Sequence, residues 1–219
     1  MTDLSANASM EHHQEHAADS GGHVHFDPLA NRLGFWLFLF TEVFLFGMLF
    51  LAFAIYLNYF RADFSYCSSQ LDVLLGGINT VVLLTSSLTM ALAIQAVQRE
   101  KKGLSLLYMA ITIGFAVAFC VIKSFEWGHK FDLGIYPNSE FLATLPRGQQ
   151  LFYGLYYVMT GFHAFHVICG SLLIGVAMMK VAAGKVHKDR LSFIENAGLF
   201  WHLVDLVWIY LFPLYYLIH

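Results

Sequence analysis

The stretch that decides the fold is residues 33–59, which read LGFWLFLFTEVFLFGMLFLAFAIYLNY. It is long enough to cross a bilayer as a helix, and Glu42 is its only ionisable residue. The nine residues from Leu33 to Glu42 span roughly 13 Å of helix, which places Glu42 inside a hydrocarbon layer about 30 Å thick. A charge at that depth costs at least about 2.5–3.5 kcal/mol. We therefore expect the Glu42 carboxyl to be neutral, hydrogen-bonded or turned towards a polar cavity.

The composition of the chain indicates a membrane protein. Hydrophobic residues make up 58% of the 219 residues, charged residues make up 12%, and the mean hydropathy is +0.61. Soluble domains average about a quarter charged residues. No basic cluster is dense enough to predict nucleic-acid binding. The three cysteines lie far apart without CxxC spacing, so they predict packing residues rather than disulfides or a zinc site.

Four further apolar stretches of spanning length follow the first. Together they predict an all-α fold, an integral membrane bundle of five transmembrane helices, because no alternating barrel pattern is present. The predicted spans are residues 33–59, 71–97, 104–127, 151–179 and 197–218. We expect them to form one domain, 33–219, with a long outer connection over residues 128–150. A polar, His-rich cytoplasmic tail, 1–32, precedes this domain and shows no signal-peptide pattern.

Basic residues in the connections predict the orientation of the bundle. One side holds eight of them: Arg32, Arg99, Lys101, Lys102, Lys180, Lys185, Lys188 and Arg190. The other side holds four: Arg61, Lys123, Lys130 and Arg147. Because basic loops stay in the cytoplasm, we expect the N-terminus inside and the C-terminus outside.

Polar side chains inside the later spans are further candidates. The second span carries the hydroxyl-rich run INTVVLLTSSLTMALA over residues 78–93, and we expect its hydroxyls to bond to their own carbonyls or to a neighbouring helix. Glu126 closes the third span and is a second candidate for a buried carboxylate. In the fourth span Ser171 and Gly175 form a small-xxx-small pair, which predicts close helix approach.

The histidines of the last two spans admit two interpretations. His163 and His166 lie three residues apart and so share a helical face, and His202 and Asp205 repeat this spacing. The imidazoles could be haem ligands, or they could form hydrogen bonds between helices. We favour the second interpretation, because bis-histidine haem takes ligands from facing helices. For Asp205 we expect a hydrogen bond with His202 or a pair with another span.

The tail motif HHQEH contains His12, His13 and His16. These residues could bind a transition metal. We favour an incidental cluster in a disordered tail, because no cysteine or acidic ligand frame surrounds it.

Five collinear motifs resemble subunit III of the haem–copper oxidases, the cytochrome c oxidase family. The motifs are RLGFWLFLFTEVFLF (32–46), INTVVLLTSSLTM (78–90), SFEWGHKFDLGIYP (124–137), FYGLYYVMTGFHAFHVICGSLLIG (152–175) and ENAGLFWHLVDLVWIYLF (195–212). The resemblance covers nearly the whole chain from Arg32 onward. Many members of that family have two additional helices at the start, so this chain is similar to the five-helix bacterial form.

The resemblance implies an accessory subunit of a respiratory terminal oxidase that reduces oxygen and pumps protons in the bacterial plasma membrane. It implies no catalytic residue, metal or redox centre in this chain, since haem and copper belong to partner subunits I and II. It also implies bound phospholipid, and contact with cytochrome c or quinol only through the other subunits. Glu42 corresponds to the carbodiimide-reactive carboxylate of the family, which supports subunit I and its proton uptake. The resemblance favours interhelical polar roles for Glu126, His163, His166, His202 and Asp205.

Three alternatives stay open. Within the family, the chain could serve a quinol oxidase or a nitric-oxide-reductase-associated complex. From another class, it could be a membrane haem b protein. The third is a proton-coupled transporter that uses Glu42 as its proton carrier. Such a transporter needs a polar path on both sides of Glu42, and the first span offers only Thr41 for it.

Overall fold

Seven α-helices make up the described part of the chain, residues 28–184 and 191–218 of a computed structural model. They are α1 (Pro28–Tyr59), α2 (Arg61–Ser69), α3 (Val73–Gln98), α4 (Lys102–Asp132), α5 (Glu140–Thr144), α6 (Arg147–Ala182) and α7 (Ser192–Tyr216). These described residues contain no β-strand. Five of the helices, α1, α3, α4, α6 and α7, are long and apolar enough to cross a membrane. The predicted all-α membrane bundle with five spanning helices is confirmed.

Several helices extend beyond the predicted spans. α4 continues to Asp132, α6 begins at Arg147, and α7 begins at Ser192. Apolar composition marks only the part of a helix that lies in hydrocarbon, whereas the backbone ladder continues into the polar zone. The predicted connection over 128–150 is therefore too long, because only residues 133–146 join α4 to α6 and they include α5.

Local sequence sets several helix ends. Asp72 caps α3, since its Oδ1 accepts the backbone N–H groups of Leu74 at 2.9 Å and Leu75 at 3.1 Å. α4 and α6 are followed by Gly134 and Gly184, whose φ angles of 73° and 67° favour glycine. These caps fix the level at which each polar connection leaves the bundle.

The chain divides into two compact units, Met1–Leu37 and Phe38–His219. Among the described residues, the first unit contributes the opening turns of α1. The second unit contains the remainder of α1 and all of α2 to α7, and it holds every candidate residue of the spans.

Four helices of the second unit form a closed arrangement. α3 packs against α4, α4 against α6, α6 against α7, and α7 against α3. α2 lies against α6 and α7, and the Ser68 hydroxyl donates to the Tyr215 carbonyl at 2.7 Å. The centre of this arrangement is lined by large buried side chains, among them Phe119, Trp201 and Trp208.

The hydroxyl-rich face of α3 makes both kinds of bond that its sequence predicts. Across to α7, the Trp201 indole donates to the Ser86 hydroxyl at 3.1 Å, and the Trp208 indole donates to Thr80 at 3.0 Å. Thr85 instead donates to a carbonyl one turn earlier on its own helix at 2.7 Å. The prediction of hydroxyls that bond within and between helices is confirmed.

Aromatic rings hold the part of α1 that begins at Phe38. The Phe38 ring lies 5.8 Å from that of Phe200 on α7. Phe53 is fully buried, and three rings surround it with centroids within 6.3 Å: those of Phe64, Phe152 and Tyr215. Such pairs are worth about 0.5–1.5 kcal/mol each beyond their buried area. Because large side chains make these contacts, the α1 backbone lies farther from the neighbouring helices than adjacent helices among α3, α4, α6 and α7 lie from one another.

Gly170 is a position of close approach between α6 and α7. A Cβ atom at Gly170 would lie 2.8 Å from Cε3 of Trp201, whose side chain is fully buried. A Cβ atom at Gly175 would meet no atom within 4 Å. The predicted close approach at Ser171 and Gly175 is therefore wrong for the described residues, because Gly175 lies on a half-exposed face of α6.

We expect Gly170→Ala to lower the free energy of unfolding by about 1–3 kcal/mol, because the added methyl overlaps the fully buried Trp201 ring. Gly175→Ala is the matched control, with the same change on the same helix but with free space. We expect it to leave stability unchanged or to raise it by up to about 1 kcal/mol, since alanine favours helix over glycine. Unfolding of the full chain in mixed micelles by SDS titration, followed by circular dichroism, measures both. Equal stabilities of the two variants would contradict the predicted contact.

Candidate functional site

The carboxyl of Glu42 finds its partner on α6. Its Oε2 lies 2.7 Å from Nε2 of His166, and both side chains are nearly buried, with exposed fractions of 14% and 10%. The Phe46 ring packs edge-on against the imidazole at 5.2 Å, and the Phe200 ring lies 6.2 Å away. The sequence predicted that Glu42 needs a polar contact, and the structure identifies the group that supplies it.

The second nitrogen of His166 fixes the protonation of this pair. Nδ1 lies 2.6 Å from the carbonyl oxygen of Phe162, which can only accept, so Nδ1 carries a proton. The bond at Nε2 then has two forms: a carboxylic acid that donates to neutral imidazole, or an imidazolium that donates to carboxylate. Both forms hold the same number of protons and have no net charge. In either form the pair therefore places no net charge in its low-dielectric surroundings.

His163 lies one turn from His166 but has different surroundings. It is fully buried between the rings of Phe119 at 5.4 Å and Trp208 at 5.1 Å. Neither ring nitrogen has a hydrogen-bond partner among the described residues. The interhelical polar role expected for His163 is therefore wrong for the described residues, because its contacts with α4 and α7 are ring contacts without a hydrogen bond.

His202 and Asp205 do not bond to each other in the predicted way. Nδ1 of His202 lies 2.6 Å from the Ser87 hydroxyl, so this histidine pairs with α3. Asp205 is buried beside the same serine, and neither carboxyl oxygen has a hydrogen bond of good geometry within the described part of the chain. The expected His202–Asp205 hydrogen bond is wrong, because the serine on α3 takes the imidazole instead.

A second buried charge cluster, Lys123–Glu126–Tyr156–Tyr216, joins α4, α6 and α7. Lys123 Nζ lies 3.0 Å from Glu126 Oε2, 3.0 Å from the Tyr156 hydroxyl and 2.7 Å from the Tyr216 hydroxyl. Both tyrosine hydroxyls donate to Glu126 Oε1. The three ammonium protons and both carboxylate oxygens are therefore all used. Trp208 completes the cluster, with its ring centroid 5.1 Å from Lys123 Nζ.

Lys123 was predicted to lie in an outer connection, and this prediction is wrong. Lys123 is only 4% exposed and lies inside α4. Its spacing of three from Glu126 places both groups on one helical face, which could have revealed the pair. The partners Tyr156 and Tyr216 could not be found in this way, since they are distant in sequence and look like ordinary interfacial aromatics.

The three cysteines are free in the described structure. Cys67 lies on α2, outside the spanning helices, and is 1% exposed. Burial raises the pKa of its thiol to about 11. Cys120 and Cys169 are half-buried on α4 and α6. Over residues 28–184 and 191–218, no group of three histidine, cysteine or acidic side chains is placed to hold a metal ion. The tail residues His12, His13 and His16 lie outside the described residues.

Comparison with known proteins identifies the family. The sequence pattern described as Cytochrome c oxidase subunit III matches residues 8–218, which is nearly the whole chain. This chain belongs to the cytochrome c oxidase subunit III family. The match also reaches further towards the N-terminus than the five motifs, which begin at Arg32.

Three relatives show the range of the subunit III family. A protein of Synechocystis named cytochrome c oxidase subunit 3 is 32% identical over 91% of this chain and 80% of its own length. One of Staphylococcus saprophyticus, named probable quinol oxidase subunit 3, is 31% identical over 86% and 89%. One of Aeropyrum pernix, named heme-copper oxidase subunit I+III, is 31% identical over 85% of this chain, which spans only 22% of that longer protein.

We expect Lys123→Met to destabilise the chain by about 3–5 kcal/mol, because it leaves the Glu126 carboxylate buried without its cation. The double variant Lys123→Met/Glu126→Gln should be more stable than the single one, since both charges are then gone. Ser124→Ala, an exposed neighbour on the same helix, is the control and should change stability by less than about 0.5 kcal/mol. SDS titration of each variant measures these values. Additive effects of the two substitutions would show that the ion pair is not coupled.

Proposed function

We propose that this chain is the accessory subunit III of a respiratory haem–copper terminal oxidase in the bacterial plasma membrane. Family membership over residues 8–218 carries this proposal. The oxidase couples oxygen reduction to proton pumping, and this chain stabilises subunit I and its proton uptake. Haem and copper belong to subunits I and II.

Subunit I is the partner that the comparisons favour. The Aeropyrum relative is named subunit I+III and carries the region similar to this chain within one longer polypeptide. A fused chain places two subunits side by side, which supports direct packing of subunit III on subunit I. Subunit II follows as the third core subunit of the same complex.

The basic residues support an orientation with the N-terminus in the cytoplasm. Lys123 is neutralised inside the bundle, so it no longer counts as a residue of an outer connection. The outer side then has three basic residues instead of four, Arg61, Lys130 and Arg147, against eight on the inner side. The corrected count strengthens the asymmetry on which the positive-inside rule depends.

The surroundings of the histidines support a chain without its own redox centre. His166 is engaged on both nitrogens, by Glu42 and by the Phe162 carbonyl. Nδ1 of His202 pairs with Ser87. An imidazole must offer a free lone pair to ligate haem iron, and the partners present on His166 compete for it. For His166 and His202 these contacts favour an oxidase subunit over the membrane haem b alternative. His163 has no hydrogen-bond partner among the described residues, and its ring instead lies between Phe119 and Trp208.

Glu42 is the residue through which we expect this chain to support proton uptake. The Glu42–His166 pair has no net charge and its proton can sit on either group, so it joins α1 to α6 without a charge in the membrane. Glu42 is the only acidic or basic side chain over residues 33–59, so this stretch of α1 offers no second carboxyl or amine to relay a proton onward. This arrangement favours a supporting contact over the proton-coupled transporter.

We expect Glu42→Leu to weaken retention of the chain in the complex and to speed turnover-dependent inactivation, since it leaves Nε2 of His166 buried without a partner at a cost of about 1–3 kcal/mol. Glu42→Gln should retain the chain, because its amide can donate to the same nitrogen. Glu140→Gln, at an exposed carboxyl on α5, is the control. Subunit content, proton uptake and activity decay over turnovers are the measurements. Normal behaviour of Glu42→Leu would refute the role, and loss of proton uptake in Glu42→Gln with the complex intact would make Glu42 itself a proton carrier.

The electron donor is decided by the partner subunits. The relatives include both cytochrome c and quinol oxidase subunits at similar identity, so either donor is consistent with the family. A nitric-oxide-reductase-associated complex is a third assembly to which the chain could belong. We favour the cytochrome c type. Purification in mild detergent should recover oxidase subunits I and II with this chain, and a dicopper-containing subunit II fixes cytochrome c as the donor. A reduced-minus-oxidised spectrum of the isolated chain with a haem band of its own would contradict the proposal.

A further inference from the structure

Asn79 is a fully buried amide on α3. Its side chain is 0% exposed, and neither Oδ1 nor Nδ2 has a hydrogen-bond partner among the described residues. His163 on α6 is equally buried, and both of its ring nitrogens are unpartnered in the same part of the chain. Buried polar side chains in native proteins nearly always have a hydrogen-bond partner, either protein or ordered water. These two side chains therefore require a partner that the neighbouring residues do not supply.

Asn79 and His163 lie at the same level of the bundle. The Trp208 indole on α7 donates to Thr80, the residue after Asn79, at 3.0 Å. The ring of the same tryptophan lies 5.1 Å from the His163 ring. α3 and α6 stand diagonally opposite each other, because α4 packs against both of them on one side and α7 packs against both on the other. The two side chains thus come from opposite helices at one height.

Both side chains point towards the centre of these four helices. On α3, Thr80 bonds to α7 and Thr89 bonds to α4. With 3.6 residues per turn, Asn79 projects about 100° to one side of Thr80 and about 80° to the other side of Thr89, so it points between α7 and α4. The His163 ring likewise lies between an α4 ring and an α7 ring. Asn79 and His163 therefore face each other across the centre.

The polar groups that contact Trp208 are already engaged. The Thr80 hydroxyl donates to the Gly76 carbonyl at 2.9 Å and accepts the indole N–H of Trp208. Lys123 Nζ lies 5.1 Å from the Trp208 ring, and its three protons are all used within its own cluster. Neither group has a proton left to donate to Asn79 or His163. Their partner has to be a molecule other than these side chains.

The unpartnered atoms indicate the chemistry of that molecule. The Asn79 amide offers two N–H donors and a carbonyl acceptor, and a neutral His163 ring offers one N–H and one lone pair. An ion would satisfy only the donors or only the acceptors, and it would bring an unneutralised charge into a low-dielectric interior. Water donates and accepts, and buried water typically makes about three hydrogen bonds to otherwise unsatisfied polar groups. The mixed set therefore favours water.

We propose that Asn79 and His163 hold an internal water site at the centre of α3, α4, α6 and α7. Water there accepts from and donates to the amide on one side and the imidazole on the other. The site is enclosed, since both side chains are 0% exposed. It lies beside the Lys123 cluster but contains no charged member. The proposal does not depend on the oxidase assignment.

X-ray radiolytic footprinting of the full chain, purified in detergent with its partner subunits, tests the site. Radiolysis of bound water yields hydroxyl radicals that oxidise the rings touching that water, even where bulk solvent is excluded. Phe119 packs on His163 at 5.4 Å, whereas the equally buried Phe53 packs among three other rings. We expect mass spectrometry to show Phe119 of the wild type oxidised about fivefold faster than Phe53 or more. Equal rates would show a dry centre and overturn the proposal.

Variants test which side chains hold the water. Asn79→Leu and His163→Phe remove the polar groups with little change of volume, and each should slow Phe119 oxidation about threefold or more, because water then loses half of its partners. The double variant should bring Phe119 to the Phe53 rate. Thr85→Val is the matched control on α3, since the Thr85 hydroxyl bonds only to its own helix, and it should behave as wild type. Fast Phe119 oxidation in a folded double variant would overturn the assignment. The wild-type comparison decides the matter if a variant fails to fold.

Discussion

The low dielectric of the membrane requires that each buried charge be neutralised nearby, and this constraint organises the bundle. Lys123 and Glu126 neutralise each other and form hydrogen bonds with two tyrosine hydroxyls, so that α4, α6 and α7 share one closed network. Glu42 and His166 form a hydrogen-bonded pair without net charge between α1 and α6. Breaking a buried pair costs far more than forming it gains. Each pair therefore selects one mutual arrangement of its helices from many that apolar packing alone would tolerate.

The two pairs differ in how completely they are satisfied. In the Lys123 cluster every ammonium proton and both carboxylate oxygens have a partner. In the Glu42 pair one proton can sit on either group without any change of net charge. The first arrangement suits a rigid tie, and the second suits a contact that adjusts to its surroundings. This contrast fits the supporting role that we propose for this chain.

Much of the fold could be predicted from sequence, because apolar length in a membrane leaves few alternatives to helices. The need of Glu42 for a partner was also predictable, since its depth follows from counting residues. The identity of that partner was not, because His166 lies 124 residues away and only the packing of α1 on α6 brings them together. Lys123 was misplaced because a lysine near a span end resembles a loop residue, although its spacing from Glu126 pointed inward. The predictions for Asp205 and Gly175 were wrong for a related reason, since helical spacing alone does not say which neighbouring helix a given face contacts.

The aromatic contacts of α1 have a consequence for its axial register. Rings such as Phe50 and Phe53 pack against other rings at 4.8–6.3 Å, and contacts of this kind survive small sliding movements of a helix. A hydrogen bond does not, because a slip of one helical turn would separate its atoms by about 5.4 Å. Glu42 therefore sets the axial register of α1 against α6. A single bond of 2.7 Å decides which residues of α1, from Phe38 onward, lie opposite each turn of α6.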